Sequence, residues 1–119
     1  MAVFISENNK KGCVVKVENI FNNLAFNSSK EQFEDLVKAD GVRIERIVSP
    51  ANCELSSEWY NQSENEWVTV LQGYGALAFE DARIIKLEAG DHLLIKAHEK
   101  HRVIKTSAEQ ATIWIAVFF

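Results

Sequence analysis

The chain has 119 residues, of which 47% are hydrophobic and 25% charged, and its formal net charge is −4. This length and composition fit one folded domain with a packed core and argue against a disordered chain. Because the sequence has no run of Lys or Arg, it offers no electrostatic surface for nucleic acid. No segment approaches the roughly 18 consecutive apolar residues that a membrane-spanning helix needs, so no membrane partner is expected.

The N-terminal residues and the two cysteines predict where the protein resides. The apolar run at residues 3–5 is too short for a signal peptide, and the nearby charges follow this run. Cys13 and Cys53 fit neither a zinc spacing nor a redox pair, which is typical of free thiols in a reducing compartment. We therefore expect a cytoplasmic protein.

Residues 1–41 predict an N-terminal arm, a strand and a short helix that pack on the domain that follows. Residues 1–12 are mostly polar and predict a loose arm or an edge strand, and residues 14–20 predict a short strand. A serine at position 28 or 29 then occupies an N-cap, with an acidic or amide side chain three residues later. A helical apolar face follows and ends at Gly41; it carries Phe33, Leu36 and Val37.

From residue 42 onward the hydrophobic period changes to two, which is the period of a β-strand. Short apolar segments alternate with turn residues, and they predict eight strands at residues 42–48, 53–60, 66–72, 76–79, 83–87, 92–95, 101–105 and 111–119. This spacing is typical of an all-β sandwich or barrel, so we expect residues 42–119 to form a sandwich or barrel within a single domain. The last strand is apolar on both faces, which predicts either a central strand or an interface strand.

A carboxylate and a histidine stand at the openings of two of these strands. Alternation places Glu66 on one face with Val68 and Val70, and it places His101 on one face with Val103, so both can project into the same interior. A buried carboxylate needs a cation, a metal or hydrogen-bond donors. The pair could also be purely structural, as a charge-assisted hydrogen bond that orders the interior. His98 lies in the preceding turn, where alternation does not set its direction.

Residues 59–73 and 90–101 resemble the two sequence motifs of the cupin superfamily, specifically of its small single-domain bacterial members. The first motif has two histidines, then a glutamate and an apolar strand that ends in glycine; Glu66 through Gly73 keep the last three features. The second motif has a Gly-Asp turn, an apolar strand, a proline and a histidine; Gly90 through His101 keep all but the proline, which is Lys96. The resemblance implies a jelly-roll β-barrel that is often a homodimer.

The resemblance also implies a metal site that is partly degenerate. Metal-binding cupins hold Fe, Mn, Ni or Zn with the two first-motif histidines, the glutamate and the second-motif histidine. Trp59 and Asn61 stand at the two first-motif positions, which leaves Glu66 and His101 as strong ligands. With a carbonyl oxygen from Asn61 and a nitrogen from His98, the candidate metal ligands are Asn61, Glu66, His98 and His101. No organic cofactor is predicted.

Two functions follow from these residues. In the first, the metal site binds or transforms a small-molecule metabolite, and Glu66 and His101 are the catalytic residues. In the second, a metal-free module binds a small ligand without catalysis, in an interior lined by Trp59, Tyr60, Glu66, Val68 and His101. A third alternative is a fold that serves only for dimerisation. Cupins include both enzymes and plain binding proteins, so the resemblance leaves the presence of catalysis open.

Overall fold

The computed structural model describes residues 15–24 and 29–119, and its regular structure consists of strands. Eight strands follow one another along the chain: β1 (Gln32–Ala39), β2 (Val42–Ser49), β3 (Glu66–Gln72), β4 (Tyr74–Phe79), β5 (Ile84–Glu88), β6 (His92–Ile95), β7 (His101–Thr106) and β8 (Thr112–Phe118). The all-β class predicted from the sequence is confirmed. No helix in the described ranges is long and apolar enough to cross a bilayer.

The strands form two antiparallel sheets that enclose the core. The larger sheet has the order β1-β2-β8-β3-β6, and the smaller sheet has the order β5-β4-β7. The C-terminal strand β8 lies between β2 and β3, so its apolar faces belong to a central strand. The core between the sheets is built from side chains of both, namely Val68, Val70, Leu77, Phe79, Leu87, Ile95, Trp114, Ala116 and Phe118.

The two sheets face each other as in a jelly roll, but they do not close into a barrel. Each described strand pairs only with strands of its own sheet. The predicted closed barrel is therefore corrected to an open two-sheet arrangement. Side chains bridge the gap between the sheets where backbone hydrogen bonds do not, and the candidate site lies in this gap.

The predicted helix before Gly41 is wrong, because this segment forms strand β1. Residues Gln32 to Ala39 pair antiparallel with β2, and only two residues, Asp40 and Gly41, connect the two strands. Gly41 has a φ of 74°, and a two-residue Asp-Gly connection is a strong signal for a hairpin. Hydrogen bonds to β2 satisfy the backbone N–H and C=O groups of this segment when it is a strand, and they outweigh its weak helical propensity.

Two other predicted strands, at residues 14–20 and 53–60, differ from the structure. Residues 15–19 have no regular structure, although a strand was predicted over residues 14–20. Residues 53–60 were predicted to form a strand, but only Glu54 and Tyr60 make isolated bridges there. The predicted arm at residues 1–12 lies outside the described residues. Cys53 is a free thiol whose Sγ lies 3.7 Å from the Thr106 Oγ1.

Candidate functional site

A cavity of about 290 Å³ lies between the two sheets. All five strands of the larger sheet and β4 and β7 of the smaller sheet contribute walls, because their inward side chains alternate with outward ones. The walls are mostly aliphatic and aromatic, and they also carry a few polar groups, which is typical of small-molecule sites. The lining residues are Glu31, Phe33, Arg43, Glu45, Ile47, Tyr60, Gln62, Glu66, Val68, Leu77, Ile95, His101, Val103, Trp114 and Phe118.

Glu66 and His101 meet in the wall of this cavity and connect the two sheets. Glu66 opens β3 in the larger sheet and His101 opens β7 in the smaller one. The His101 Nε2 lies 3.3 Å from the Glu66 Oε1, and the two residues are only 4% and 7% exposed. The sequence predicted that these side chains could project into one interior, and the structure places them there in direct contact.

Two neighbours orient this pair. The His101 Nδ1 lies 3.0 Å from the carbonyl oxygen of Glu99; a carbonyl can only accept, so Nδ1 carries a proton and donates it. The Gln62 Nε2 donates to the Glu66 Oε1 at 2.9 Å. Burial alone would lower the pKa of His101, but the hydrogen bond to Glu66 and the one to the Glu99 carbonyl outweigh it and raise this pKa. The raised pKa favours an imidazolium that donates to the Glu66 carboxylate.

Arg43 lies at the side of the cavity and is surrounded by carboxylates. Its Nη1 lies 2.8 Å from the Glu45 Oε2 and 3.7 Å from the Asp35 Oδ1, and its Nη2 lies 3.4 Å from the Glu64 Oε1. The guanidinium also stacks 4.1 Å from the ring centre of Phe118. Burial raises the pKa of Glu45, the attraction of Arg43 opposes this, and repulsion from Asp35 and Glu66 adds to it.

Glu31 reaches the cavity from the segment just before β1, and a chain of hydrogen bonds holds it. The buried Trp114 Nε1 donates to the Ser49 Oγ at 3.0 Å, and the Ser49 Oγ donates to the Glu31 Oε2 at 2.6 Å. Burial raises the pKa of the Glu31 carboxyl, and the hydrogen bond from Ser49 lowers it by a smaller amount. Ser49 and Trp114 thus fix the direction of a buried carboxylate that the sequence did not single out.

The residues predicted to form a ligand pocket divide into two groups. Tyr60 and Val68 line the cavity together with Glu66 and His101. The Tyr60 backbone forms both hydrogen bonds of a bridge to His101, and the two rings lie 5.7 Å apart. Trp59 does not line the cavity: its side chain is 41% exposed, with the Arg102 guanidinium 5.1 Å from its ring centre.

Asn61 and His98, the other two predicted metal ligands, lie apart from the cavity. Both are exposed, and the His98 Nδ1 lies 3.3 Å from the Asn61 Oδ1. His98 has a φ of 65°, and its backbone N–H donates to the Gln62 carbonyl at 2.7 Å. The described ranges contain no group of three or more His, Cys, Asp or Glu side chains arranged to hold a metal ion.

Four polar residues of the cavity were missed by the sequence reasoning: Glu31, Arg43, Glu45 and Gln62. A signal existed for two of them, because alternation along β2 places Arg43 and Glu45 on one face with Ile47. The opposite face of β2 carries Val42, Ile44 and Val48 and looks equally suited to a core. Gln62 and Glu31 lie outside the strands, where periodicity gives no direction.

Comparison with known proteins gives the family. Residues 48–118, well over half of the chain, match the family model described as a cupin domain. The chain belongs to the cupin superfamily. A search of curated proteins found no match to this cupin.

Solved structures support the same family. A protein from Ralstonia eutropha, provisionally named a mannose-6-phosphate isomerase, is 33% identical; the match covers 87% of this chain and 97% of that chain, with a TM-score of 0.79. An RmlC-like cupin protein from Desulfovibrio desulfuricans is 17% identical over 88% and 97% of the two chains, with a TM-score of 0.68. A cupin superfamily protein from Desulfitobacterium hafniense is 16% identical over 80% and 82%, with a TM-score of 0.65. The last two share the fold.

The donor set of this cupin does not fit a metal ion held by three or more protein groups. Glu66 and His101 are the strong donors in the cavity wall, and they contact each other. Gln62 supplies the nearest further group, and its amide nitrogen already donates to Glu66. Protein sites for transition metals usually need at least three ligands at bonding distance.

Proposed function

We propose that this cupin binds a small-molecule metabolite in the cavity between its sheets, with Glu66 and His101 as the polar groups that contact the ligand. The observation that carries the proposal is the buried Glu66–His101 pair in the wall of an otherwise mostly apolar cavity. The cavity volume lies near the lower end of the roughly 300–1,000 Å³ range of ligand sites. The ligand is accordingly small, and it is bound without a metal.

The same pair supplies the groups that proton-transfer chemistry needs. A protonated His101 can donate a proton to the ligand through Nε2, and Glu66 can accept one. The Glu99 carbonyl and the Gln62 amide hold the imidazole and the carboxylate in position for this. If the cupin is an enzyme, we assign His101 as its general acid and Glu66 as its general base.

Binding can be tested with a matched pair of histidine variants. We expect ligand-observed NMR against a panel of metabolites to detect at least one ligand of the wild type, and His101→Gln to weaken it by about tenfold or more, since a buried polar partner is lost. His98→Gln should leave the affinity unchanged, because His98 lies apart from the cavity. Absence of any ligand, or an equal loss in both variants, would contradict the proposal.

A phosphorylated sugar is not the ligand that the cavity supports best. The name of the Ralstonia eutropha protein includes such a substrate, and phosphate recognition commonly relies on free Arg or Lys side chains. Arg43, which lines this cavity, is already engaged by Glu45, with Asp35 and Glu64 also within 4 Å. The site therefore gives little support for the same activity in this cupin.

A divalent metal is the second candidate, and one observation favours it. The His101 Nδ1–H donates to a backbone carbonyl, which is how metal-binding histidines are commonly oriented while Nε2 faces the ion. In this reading Glu66 and His101 would be the two protein ligands of Fe, Mn, Ni or Zn. Elemental mass spectrometry of the purified protein, before and after titration with these ions, tests this candidate; no stoichiometric uptake would remove it.

A further inference from the structure

The cavity carries more negative than positive side chains. Among the described residues, Glu31, Glu45 and Glu66 line it, against the guanidinium of Arg43 and the imidazole of His101. Even with His101 protonated, the three ionised carboxylates leave an excess of negative charge. Buried carboxylates are costly unless cations or hydrogen-bond donors compensate them.

Both cationic side chains are already engaged. Arg43 pairs with Glu45 at 2.8 Å and lies within 4 Å of Asp35 and Glu64, and His101 pairs with Glu66 at 3.3 Å. Glu31 has no ion pair with any described residue and accepts its one hydrogen bond from the neutral Ser49 Oγ. Among the described residues that line the cavity, no third cation balances Glu31 and the nearby carboxylates.

Each of the three carboxylates also keeps one oxygen available. Glu66 and Glu45 are about nine-tenths buried, at 7% and 9% exposure, and their bonds use only Glu66 Oε1 and Glu45 Oε2. Glu31 uses only Oε2. Among residues 15–24 and 29–119, the remaining oxygens, Glu66 Oε2, Glu45 Oε1 and Glu31 Oε1, have no hydrogen-bond or ion-pair partner. These oxygens can accept hydrogen bonds from a ligand.

Aromatic rings form much of the remaining wall. Phe33, Tyr60, Trp114 and Phe118 line the cavity beside these carboxylates. Aromatic faces attract cations and also pack against the apolar part of a ligand. An anionic ligand would meet like charges here, and a neutral alcohol would satisfy acceptors without balancing their charge.

We propose that the ligand of this cavity is a small organic cation, an amine that is protonated at neutral pH, with its ammonium group held by Glu31, Glu45 and Glu66. The inference rests on the proposed function, since it names the ligand class of the same cavity. The ammonium N–H groups donate to the three available oxygens. The apolar part of the amine lies against the aromatic wall.

Three probes of matched shape test the class of ligand. Benzylammonium, benzyl alcohol and benzoate share one ring and differ in charge, and chemical-shift titrations of the isotope-labelled protein give their dissociation constants. We expect benzylammonium to bind about tenfold more tightly than either of the others, because it alone supplies both charge and donors. Equal or tighter binding of benzoate or benzyl alcohol would overturn the inference and leave the proposed binding function standing.

Carboxylate variants locate the ammonium group. Glu31→Gln and Glu45→Gln keep the shape of the wall and remove a charge, so each should weaken benzylammonium binding by about threefold or more. Glu64→Gln is the matched control, because Glu64 also contacts Arg43 but does not line the cavity. An effect of Glu64→Gln as large as that of Glu31→Gln, or no binding of any probe, would overturn the inference. The metabolite panel with His101→Gln and His98→Gln decides the proposed function separately.

Discussion

Glu31 is a carboxylate whose surroundings disfavour its charged form. It lies in the cavity wall, and burial raises its pKa above the ordinary value of 4.5, although the hydrogen bond from Ser49 works in the opposite direction. A carboxyl whose folded-state pKa is raised binds its proton more tightly in the folded state than in the unfolded state. Its contribution to stability is therefore most favourable below pH 4.5. That contribution is lost as the pH rises through the folded-state pKa.

Replacement of this carboxyl should expose the pH dependence directly. We expect Glu31→Gln to be more stable than the wild type near about pH 8, and the difference to shrink towards about pH 5, because an amide resembles the protonated acid. Urea unfolding at a series of pH values measures both free energies of unfolding. A variant that is less stable than the wild type near about pH 8 would contradict the assignment.

Glu99 provides a control of opposite sign. The hydrogen bond from Arg83 lowers the pKa of Glu99, burial opposes this shift, and the hydrogen bond from the Lys96 backbone lowers the pKa further. Its contribution is present above the ordinary carboxyl pKa and is lost as the pH falls through the folded-state value. Glu99→Gln should therefore lose stability at neutral pH, where Glu31→Gln gains it.

The site residues show for which positions the sequence alone predicts the direction of the side chain. Glu66 and His101 stand at the openings of strands, so alternation gave the face of each one, and the structure brings them together. Asn61 and His98 lie in loops, where spacing sets no direction, and the structure places both outside the cavity. Glu31 is held in the cavity wall by a hydrogen bond from Ser49, 18 residues away in sequence, and Trp114 in turn donates to Ser49. Such a contact cannot be predicted from the local sequence.

Strand β4 depends on a glycine at its contact with the opposite sheet. Gly75 faces inward with Leu77 and Phe79, and the six-membered ring of Trp114 on β8 lies directly against it, so a Cβ at position 75 would overlap that ring. A larger side chain in a filled core forces such neighbours to move. Gly75 thus allows the small sheet to approach the large one.

We expect Gly75→Ala to reduce the free energy of unfolding by about 2 kcal/mol, the typical cost of overfilling a packed core. Urea unfolding measures the change. In a Trp114→Phe background the same substitution should cost less, because the overlapping ring atoms are gone. An equal cost in both backgrounds would show that the overlap with Trp114 is not the cause.

At the scale of elements, strands were predicted well where the period of two was sustained. The predicted bounds of β3 and β6 agree with the structure, and those of β4, β5, β7 and β8 agree within about two residues. The segment of β1 carries Phe33, Leu36 and Val37 at a helical spacing, yet these side chains are 52%, 38% and 47% exposed. This segment is a strand because it pairs with β2. That pairing is a non-local interaction, so local periodicity could not predict it.

For the whole molecule, β1 is where we expect a second copy to bind. It forms one edge of the larger sheet, so within the described part of the chain no strand pairs with the other side of its backbone, and the three exposed apolar side chains lie along it. Two copies of one edge strand can pair antiparallel about a twofold axis, which extends both sheets. The homodimer predicted from the sequence has its best candidate interface here.

Sedimentation of matched lysine variants tests this interface. We expect the wild type to sediment as a dimer, and Leu36→Lys to shift it towards the monomer, because a charge would be buried between the two edges. Ile84→Lys is the control: Ile84 is also an exposed apolar residue on an edge strand, β5, but it lies in the smaller sheet. A monomeric wild type at high concentration, or the same shift in both variants, would contradict a β1 interface.

The hydrogen-bond chain from Trp114 through Ser49 to Glu31 gives the protein an internal optical reporter. The Trp114 indole is 2% exposed and forms part of the cavity wall, whereas Trp59 is 41% exposed on the outer surface. Iodide can therefore quench the emission of Trp59 while that of Trp114 persists. Any molecule that engages Glu31 alters the hydrogen bonding of Ser49 and, through it, the surroundings of the indole N–H. With the third tryptophan, Trp67, replaced by Phe, the fluorescence that iodide leaves unquenched reports the occupancy of the cavity without any attached label.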